Sequence, residues 1–415
     1  MKMARDELIT GLDVGTTKVC AVIAEIEPES RPNIIGVGTY PCAGLKKGIV
    51  VDIESTTHAI HNAITGAERM AGREIRSVVV GVTGEHIACL NSRSVVAITH
   101  SGREISSNDV ERLLDSAKVV VLPPDREIIH AIPRWYSVDG QVGVRSPVGM
   151  HGNRLEVETH VVTGLSSFLQ NVVKCVDQAG LSVSGVVLEP IATGESVLLP
   201  GEEDLGVALL DIGGGTSDLA IYFDGQIYHS AVIPVGGNHV TRDIAVGLRT
   251  TIEEAERVKL LYGHALVSGV EPSESFEVTS VGSDKARQLP RKVLAEIIEP
   301  RMVEICHLMQ DQIKKAGCEE RLPAGLVFTG GGAQLPGLPE LASAVTGLAA
   351  RVGTPTGVTG LIEAVGSPSC ATAVGLVLFW DEHESKQPES DGTGSLFVSN
   401  LIRRIRDLFA KISGE

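Results

Sequence analysis

Val207-Ala208-Leu209-Leu210-Asp211-Ile212-Gly213-Gly214-Gly215-Thr216-Ser217-Asp218-Leu219-Ala220-Ile221 reads as a buried strand, a tight glycine and threonine turn, and a second buried strand. The same device stands near the start of the chain. There Leu8-Ile9 leads through Gly11-Leu12-Asp13 to Val14-Gly15-Thr16-Thr17-Lys18 and on to Val19-Cys20-Ala21-Val22-Ile23. Both copies end a buried strand on an Asp, follow it with an apolar residue and a glycine, and then turn. One such hairpin says little, because glycine turns are the ordinary way to reverse a chain. Two matching copies, with Asp13 and Asp211 lying 198 residues apart, point to two related lobes.

The residue types in these turns suit an anionic ligand. Glycines let backbone N–H groups converge on phosphate oxygens, threonine hydroxyls add donors, and Lys18 adds a cation. Asp13 and Asp211, at strand ends, suit a hydrated Mg²⁺, which keeps its waters and takes few protein ligands. A third glycine turn follows the buried strand in Leu326-Val327-Phe328-Thr329-Gly330-Gly331-Gly332-Ala333, where missing side chains permit close approach of a flat ring or a phosphate. Glu256 and Lys259 share a helix face three residues apart. That spacing more often means a surface ion pair; its other meaning here is a pair of ribose ligands.

At 415 residues the chain is too long for one core, and 43% hydrophobic residues with a mean hydropathy of +0.16 mark a folded protein. A formal charge of −16 opposes general affinity for nucleic acid. Cys20, Cys42, Cys89, Cys175, Cys306, Cys318 and Cys370 lack C-x-x-C spacing and read as small buried hydrophobes of a reducing compartment. His58 and His61, three apart, read as an exposed helical pair, with no third metal ligand in view. No apolar run reaches the length of a spanning helix, so we expect a cytosolic protein whose membrane contact is peripheral.

That contact is expected at the end of the chain. In residues 396–415, at about 100° per residue, Phe397, Val398, Leu401, Ile402, Ile405, Leu408, Phe409 and Ile412 fall within an arc of roughly 140°. Arg403, Arg404, Arg406 and Lys411 lie opposite. The preceding 381–395 are polar, acidic and broken by Pro388, Gly392 and Gly394, a flexible tether. A tethered helix with aliphatics and Phe on one side and Arg on the other fits an anionic lipid surface better than its own domain.

The order of these motifs, with the connector Leu188-Glu189-Pro190-Ile191-Ala192-Thr193-Gly194, resembles the actin/Hsp70 nucleotide-binding superfamily. Within it, Pro234-Val235-Gly236-Gly237-Asn238-His239-Val240-Thr241, the Ile298-Glu299-Pro300-Arg301 helix and the amphipathic tail are similar to the bacterial cell-division FtsA family. The resemblance spans the chain except the tether. It implies an α/β, actin-like two-lobed ATPase fold with an inserted subdomain and a C-terminal amphipathic helix. It implies ATP and Mg as cofactors. Gly15, Thr16, Thr17 and Lys18 would form the first phosphate loop and Gly213, Gly214, Gly215 and Thr216 the second. Gly236, Gly237 and Asn238 would lie near the phosphates, Glu256 and Lys259 at the ribose, and Gly331 and Gly332 at the adenine. Asp13 and Asp211 would organise the metal through water, and Glu189 would stand near an attacking water, with hydrolysis slow or absent.

The resemblance also implies a division of the chain into subdomain 1A (1–83), an inserted subdomain 1C (84–163), 1A again (164–196), 2A (197–246), 2B (247–322), 2A again (323–364), a return helix (365–380), the linker (381–395) and the membrane helix (396–415). In the insert, Val95–Thr99 and Glu156–Val162 read as strands and Ser107–Lys118 as a helix with Asn108 as N-cap. Implied partners are the FtsZ C-terminal peptide, further copies of the chain in a filament, anionic lipid and later division proteins, at the division site on the cytoplasmic side of the cell membrane. The helix Leu294–Gln310, with Arg291 and Arg301, is the candidate FtsZ surface, against the simpler reading that both arginines pair with Glu296, Glu299 or Glu304. A PilM-like pilus-assembly relative would not carry the basic tail. An Hsp70-like chaperone would need a client domain after Val377, where too few residues remain.

Overall fold

The hairpin Glu7–Val14 and Lys18–Ile26 is the centre of the first of two sheets built to one plan. The computed structural model describes residues 7–98, 104–282 and 285–383; the first three residues of the expected tether, 381–383, are instead the end of the helix Ala371–His383, and the rest of the tether and the tail lie outside the described residues. In the first sheet the hairpin is extended antiparallel by Asn33–Pro41 and flanked in parallel by Ser77–Val82 and Ser182–Leu188. In the second, Val207–Ile212 and Ser217–Phe223 form the hairpin, Gln226–Ile233 extends it antiparallel, and Gly325–Thr329 and Ala350–Val352 flank it in parallel. The registers coincide as well: Asp13 stands opposite Cys20, and Asp211 opposite Asp218. Every residue of Val207–Ile212 is buried, which explains its apolar run, interrupted only by Asp211.

The apolar core of the first lobe reaches one face of the second lobe's sheet, through Val207, Leu209, Ala220 and Val327, and the second lobe has a further core on the other face. Between the lobes run two helices, Glu189–Val197 and Ala371–His383, which pack on each other. Their approach is set by Gly375: a Cβ there would lie within 3.0 Å of the Ala192 carbonyl, closer than real Cβ atoms come to anything. The second lobe continues into the helices Gly237–Leu248, Ile252–Tyr262 and Arg291–Lys315. The last of these is longer than the 294–310 expected and carries Pro300 inside it.

Residues 84–163 hold a third sheet, in order Ala88–Ala97, Arg154–Leu165, Arg126–Val138 and Gln141–Val144, with the helix Ser107–Ala117 over one face and a small core of its own. Both expected strands exist, longer than read, though Thr99 lies outside the described residues. The helix cap is corrected. Ser106, not Asn108, caps it: Asp109 N–H donates to Ser106 Oγ at 3.3 Å, and Ser106 N–H donates to the Asp109 carboxylate at 3.0 Å. This reciprocal pair satisfies two end donors at once, leaving Asn108 inside the first turn. Among the described residues no helix is long and apolar enough to cross a membrane.

Candidate functional site

The two glycine turns close in the same way. Gly15 N–H donates to the Lys18 carbonyl at 3.0 Å, and Gly213 N–H donates to the Thr216 carbonyl at 3.0 Å. They face each other across the cleft: a Cβ on Gly214 would come closer than 3.0 Å to Thr17 Cγ2, and one on Gly215 would lie 2.7 Å from Thr16 Oγ1. A larger residue at 214 would have to displace Thr17, and one at 215 would press on Thr16 Oγ1 and the Lys47 backbone. The start of the helix Gly237–Leu248 docks on the second turn, Gly237 N–H donating to Gly213 O at 2.9 Å and Asn238 N–H to Gly214 O at 2.8 Å.

These elements wall a cavity of about 420 Å³, within the range of small-ligand sites. Of the expected residues, Asp13, Gly15, Thr16, Thr17, Lys18, Glu189, Asp211, Gly213, Gly214, Gly215, Thr216, Gly237, Asn238, Glu256, Lys259, Gly331 and Gly332 all line it. Gly236 stands just behind, its N–H bonded to His239 Nδ1 at 3.1 Å. For Glu256 and Lys259 the ion-pair reading is met, and both residues also lie at the cavity. They form the ion pair, at 2.7 Å, and border the cavity, with Lys259 Nζ also donating to Thr241 Oγ1 at 2.9 Å and the Gly237 carbonyl at 3.3 Å.

Four carboxylates converge on the floor. Burial raises Asp13 to about 7, with Lys18 opposing and Asp211 adding to the rise. Burial likewise raises Asp218 to about 7, the Thr83 hydroxyl opposing and Asp211 adding. Glu189 is pushed well above the carboxylate range by burial and then by Asp13, Asp218 and Asp211. Asp211 is raised by burial and held back by the hydroxyls of Thr372 at 3.0 Å and Thr193 at 3.3 Å, both donating to Oδ2. Among the described residues no three His, Cys, Asp or Glu side chains are grouped to hold a metal ion directly, so these oxygens could take a hydrated cation only through its waters.

Sequence reading missed several cavity residues. Asp218 was readable, since it lies in the quoted 207–221 stretch, just past the turn, and pairs across the hairpin with Asp211. Gly330 stood in the quoted glycine turn, but its role needed the structure: its φ is +81°, and a Cβ there would run into Asp211 Oδ1. Thr83, Thr372, Pro368 and Ser369 carried no local signal; the fold brings them in from distant segments. The apolar end of the cavity is formed by Leu260, Met302, Ile305, Leu335 and Pro336.

Arg291 and Arg301 lie outside the cavity and are engaged within the lobe. Arg291 binds Glu274 at 2.6 Å and donates to the Tyr262 carbonyl at 2.7 Å. Arg301 grips Asp243 with two donors, at 2.6 and 3.0 Å, and pairs with Glu304. Glu304 was thus a correctly anticipated partner, while Glu299 instead accepts from the Val267 N–H. His58 is exposed, bonds Asn62 and packs edge-on against Tyr40.

Two family descriptions match the chain: "Cell division protein FtsA" over residues 208–375, and "SHS2 domain inserted in FTSA" over residues 84–163. The chain is 43% identical to the cell division protein FtsA of Pseudomonas aeruginosa over 394 residues, 95% of this chain and 94% of that one. It is 38% identical to the cell division protein FtsA of Escherichia coli K12, covering 99% of each. Among solved structures, the PilM-PilN type IV pilus biogenesis complex aligns at a TM-score of 0.65 with 18% identity, over 89% of this chain and 98% of that one. MreB5 of Spiroplasma citri bound to ADP aligns at 0.52 with 15% identity, over 91% and 96%.

Proposed function

The chain belongs to the family of cell division protein FtsA and has its actin-like fold, and from that premise we propose that it binds Mg-ATP between its lobes, self-associates on the inner face of the cell membrane, and there anchors FtsZ and recruits later division proteins. The observation that supports nucleotide binding is the pair of identically closed turns facing each other over one cavity, each preceded by an Asp at the end of a paired strand. Backbone N–H groups of residues 16–17 and 214–216, the hydroxyls of Thr16, Thr17 and Thr216, and Lys18 would hold the phosphates, the Gly15 and Gly213 N–H groups being spent on closing the turns. Asp13 and Asp211, with Asp218 behind, would hold the cation through water. Mg²⁺ would supply charge neutralisation for the phosphates. Burial would keep a proton on Glu189 until a cation lowers the local field. With little more than positioning available, ATP serves to hold the lobes in one arrangement, and turnover is slow.

Membrane attachment rests on the sequence of 396–415. Eight apolar side chains at about 1.5–3 kcal/mol each for full burial give a gross gain on the order of 10–20 kcal/mol. Interfacial burial is partial and helix ordering opposes it at about 1–2 kcal/mol per residue, so one tail binds modestly. A filament presenting many tails raises avidity by about 10²–10⁴ without a new contact. For FtsZ, the surface of the helix Arg291–Lys315 remains our candidate, with Arg291 and Arg301 shaping it from within their ion pairs.

Calorimetric titration with Mg-ATP tests the cleft. Asp211→Ala and Gly214→Val should each abolish binding in a folded protein, and unchanged affinity in both variants would refute the assignment.

A further inference from the structure

Three consecutive residues, Thr83, Gly84 and Glu85, lead into the inserted sheet; Thr83 lines the cleft, and the other two rest on the turn 47–48 beside it. The Thr83 hydroxyl donates to Asp218 on the cavity floor. Gly84, with φ +128°, is packed against the turn 47–48, where a Cβ would lie 3.2 Å from both the Lys47 and Gly48 carbonyl oxygens. Glu85 accepts from Lys47 Nζ at 2.6 Å. The turn itself is the tip of the short hairpin Leu45–Lys46 and Ile49–Val50, and it sits where the two glycine loops meet. Gly48 N–H donates to Thr16 Oγ1 of the first loop at 3.3 Å, while a Cβ on Gly215 of the second would lie 3.1 Å from Lys47 Cα.

Lys47 is thus a cation rooted at the junction of both loops whose charge is committed outward. Its pair with Glu85 is about one-third to two-fifths exposed on either side, a weak and easily exchanged interaction. Lys259, by contrast, is held by Glu256, Thr241 and the Gly237 carbonyl. A lysine side chain rotates freely over several ångströms about its Cα. A triphosphate brings one more anionic group into the cleft than a diphosphate; Lys18 and Lys259 already line the cavity, while Lys47 stands just beyond its lining, where the two loops meet, and is held by one partly exposed partner. Resting on the reading of the cleft as a nucleotide site, we propose that Lys47 distinguishes nucleoside triphosphate from diphosphate by exchanging Glu85 for the additional phosphate, which loosens the stem of the inserted subdomain.

The exchange involves no covalent change. Its consequence is that occupancy by triphosphate is felt at residues 83–85, the point from which the third sheet is hung. Loss of Lys47 should therefore weaken triphosphate binding selectively, and loss of Glu85 should strengthen it.

Lys47 has φ +51°, so the test variant is Lys47→Asn, a residue that tolerates this backbone. Affinities for Mg-ADP and for a non-hydrolysable Mg-ATP analogue are measured on the full chain by calorimetry. Lys47→Asn should lose about tenfold for the triphosphate and no more than about twofold for the diphosphate. Glu85→Gln should gain about two- to threefold for the triphosphate alone. Hydrogen exchange over residues 83–88 of the wild type should be faster with the triphosphate analogue than with ADP, and Lys47→Asn should erase that difference. Equal losses for both nucleotides, or an unchanged ratio with unchanged exchange, would overturn the role of Lys47 while leaving the cleft assignment standing. Failure of the wild type to bind either nucleotide would overturn the cleft assignment itself.

Discussion

Gly214→Ala tests whether the two glycine loops work as one clamp. The new methyl meets no backbone obstacle of its own, because Gly214 does not have a positive φ. What it meets is the opposite loop: Thr17 Cγ2 closer than 3.0 Å, Thr17 Oγ1 at 3.2 Å and Thr17 Cβ at 3.4 Å, against an ordinary contact distance of 3.4–4 Å. The loops must part by several tenths of an ångström or Thr17 must leave its rotamer. Overpacking of this kind costs about 1–3 kcal/mol. Since the strain is relieved by opening the clamp and restored by ligand closing it, most of that cost should appear in binding, as a loss of about 10- to 100-fold in Mg-ATP affinity. Thr17→Ser removes the offending methyl while keeping the hydroxyl. The double variant should regain at least about 1 kcal/mol of the loss, a coupling measurable by a calorimetric double-mutant cycle. If Gly214→Ala binds like wild type, or if Thr17→Ser gives no rescue, the loops do not close on a common ligand.

Other substitutions address other parts of the molecule. His130 and His160 are buried, and burial holds both near 3, far below their ordinary 6.5, so the unfolded chain takes up protons that the folded one refuses. Stability is then full above pH 6.5 and falls as the pH drops towards 3, by about 2 kcal/mol per histidine at pH 5. His160→Gln should lose about that much less than wild type between pH 7.5 and 5 in urea unfolding, and identical pH profiles would refute the burial argument. Gly375→Ala, which forces a methyl into the Ala192 carbonyl, should destabilise by about 3 kcal/mol or more and separate the two inter-lobe helices; a change under about 1 kcal/mol would mean that their spacing is not set there. Phe409→Glu should release the protein from anionic liposomes with ATP affinity intact, and retained pelleting would show that the apolar stripe is not the anchor. A monomer-locked variant with an intact tail should pellet much more weakly than wild type, and equal pelleting at equal lipid would refute the avidity argument.

What could be read from sequence was what a local stretch must supply by itself. The strand–turn–strand copies at 8–23 and 207–221 were legible because each needs a buried run, a glycine turn and a terminal Asp within about fifteen residues, whatever surrounds it. The glycine turn after Thr329 was legible for the same reason, though Gly330 had to be seen against Asp211 to be understood. Thr372 and Ser369 were not legible. They reach the site from the far end of the chain, and threonine and serine at a helix start have many other uses. Ser106 and Asn108 illustrate the limit of capping rules: both are good caps, and only the reciprocal bond with Asp109 decides between them. Arg291 found Glu274 instead of a neighbour on its own helix because the preceding strand hairpin Ser275–Thr279 and Ala286–Pro290 folds Glu274 back beside it.

The proposed membrane anchorage is tested most directly by pelleting with anionic liposomes in Mg-ATP, comparing the full chain with one ending at Ser395. The full chain should sediment with the lipid, while the shortened chain should stay in solution yet bind ATP with unchanged affinity. A shortened chain that sediments as fully as the intact one would contradict the assignment of residues 396–415 as the anchor.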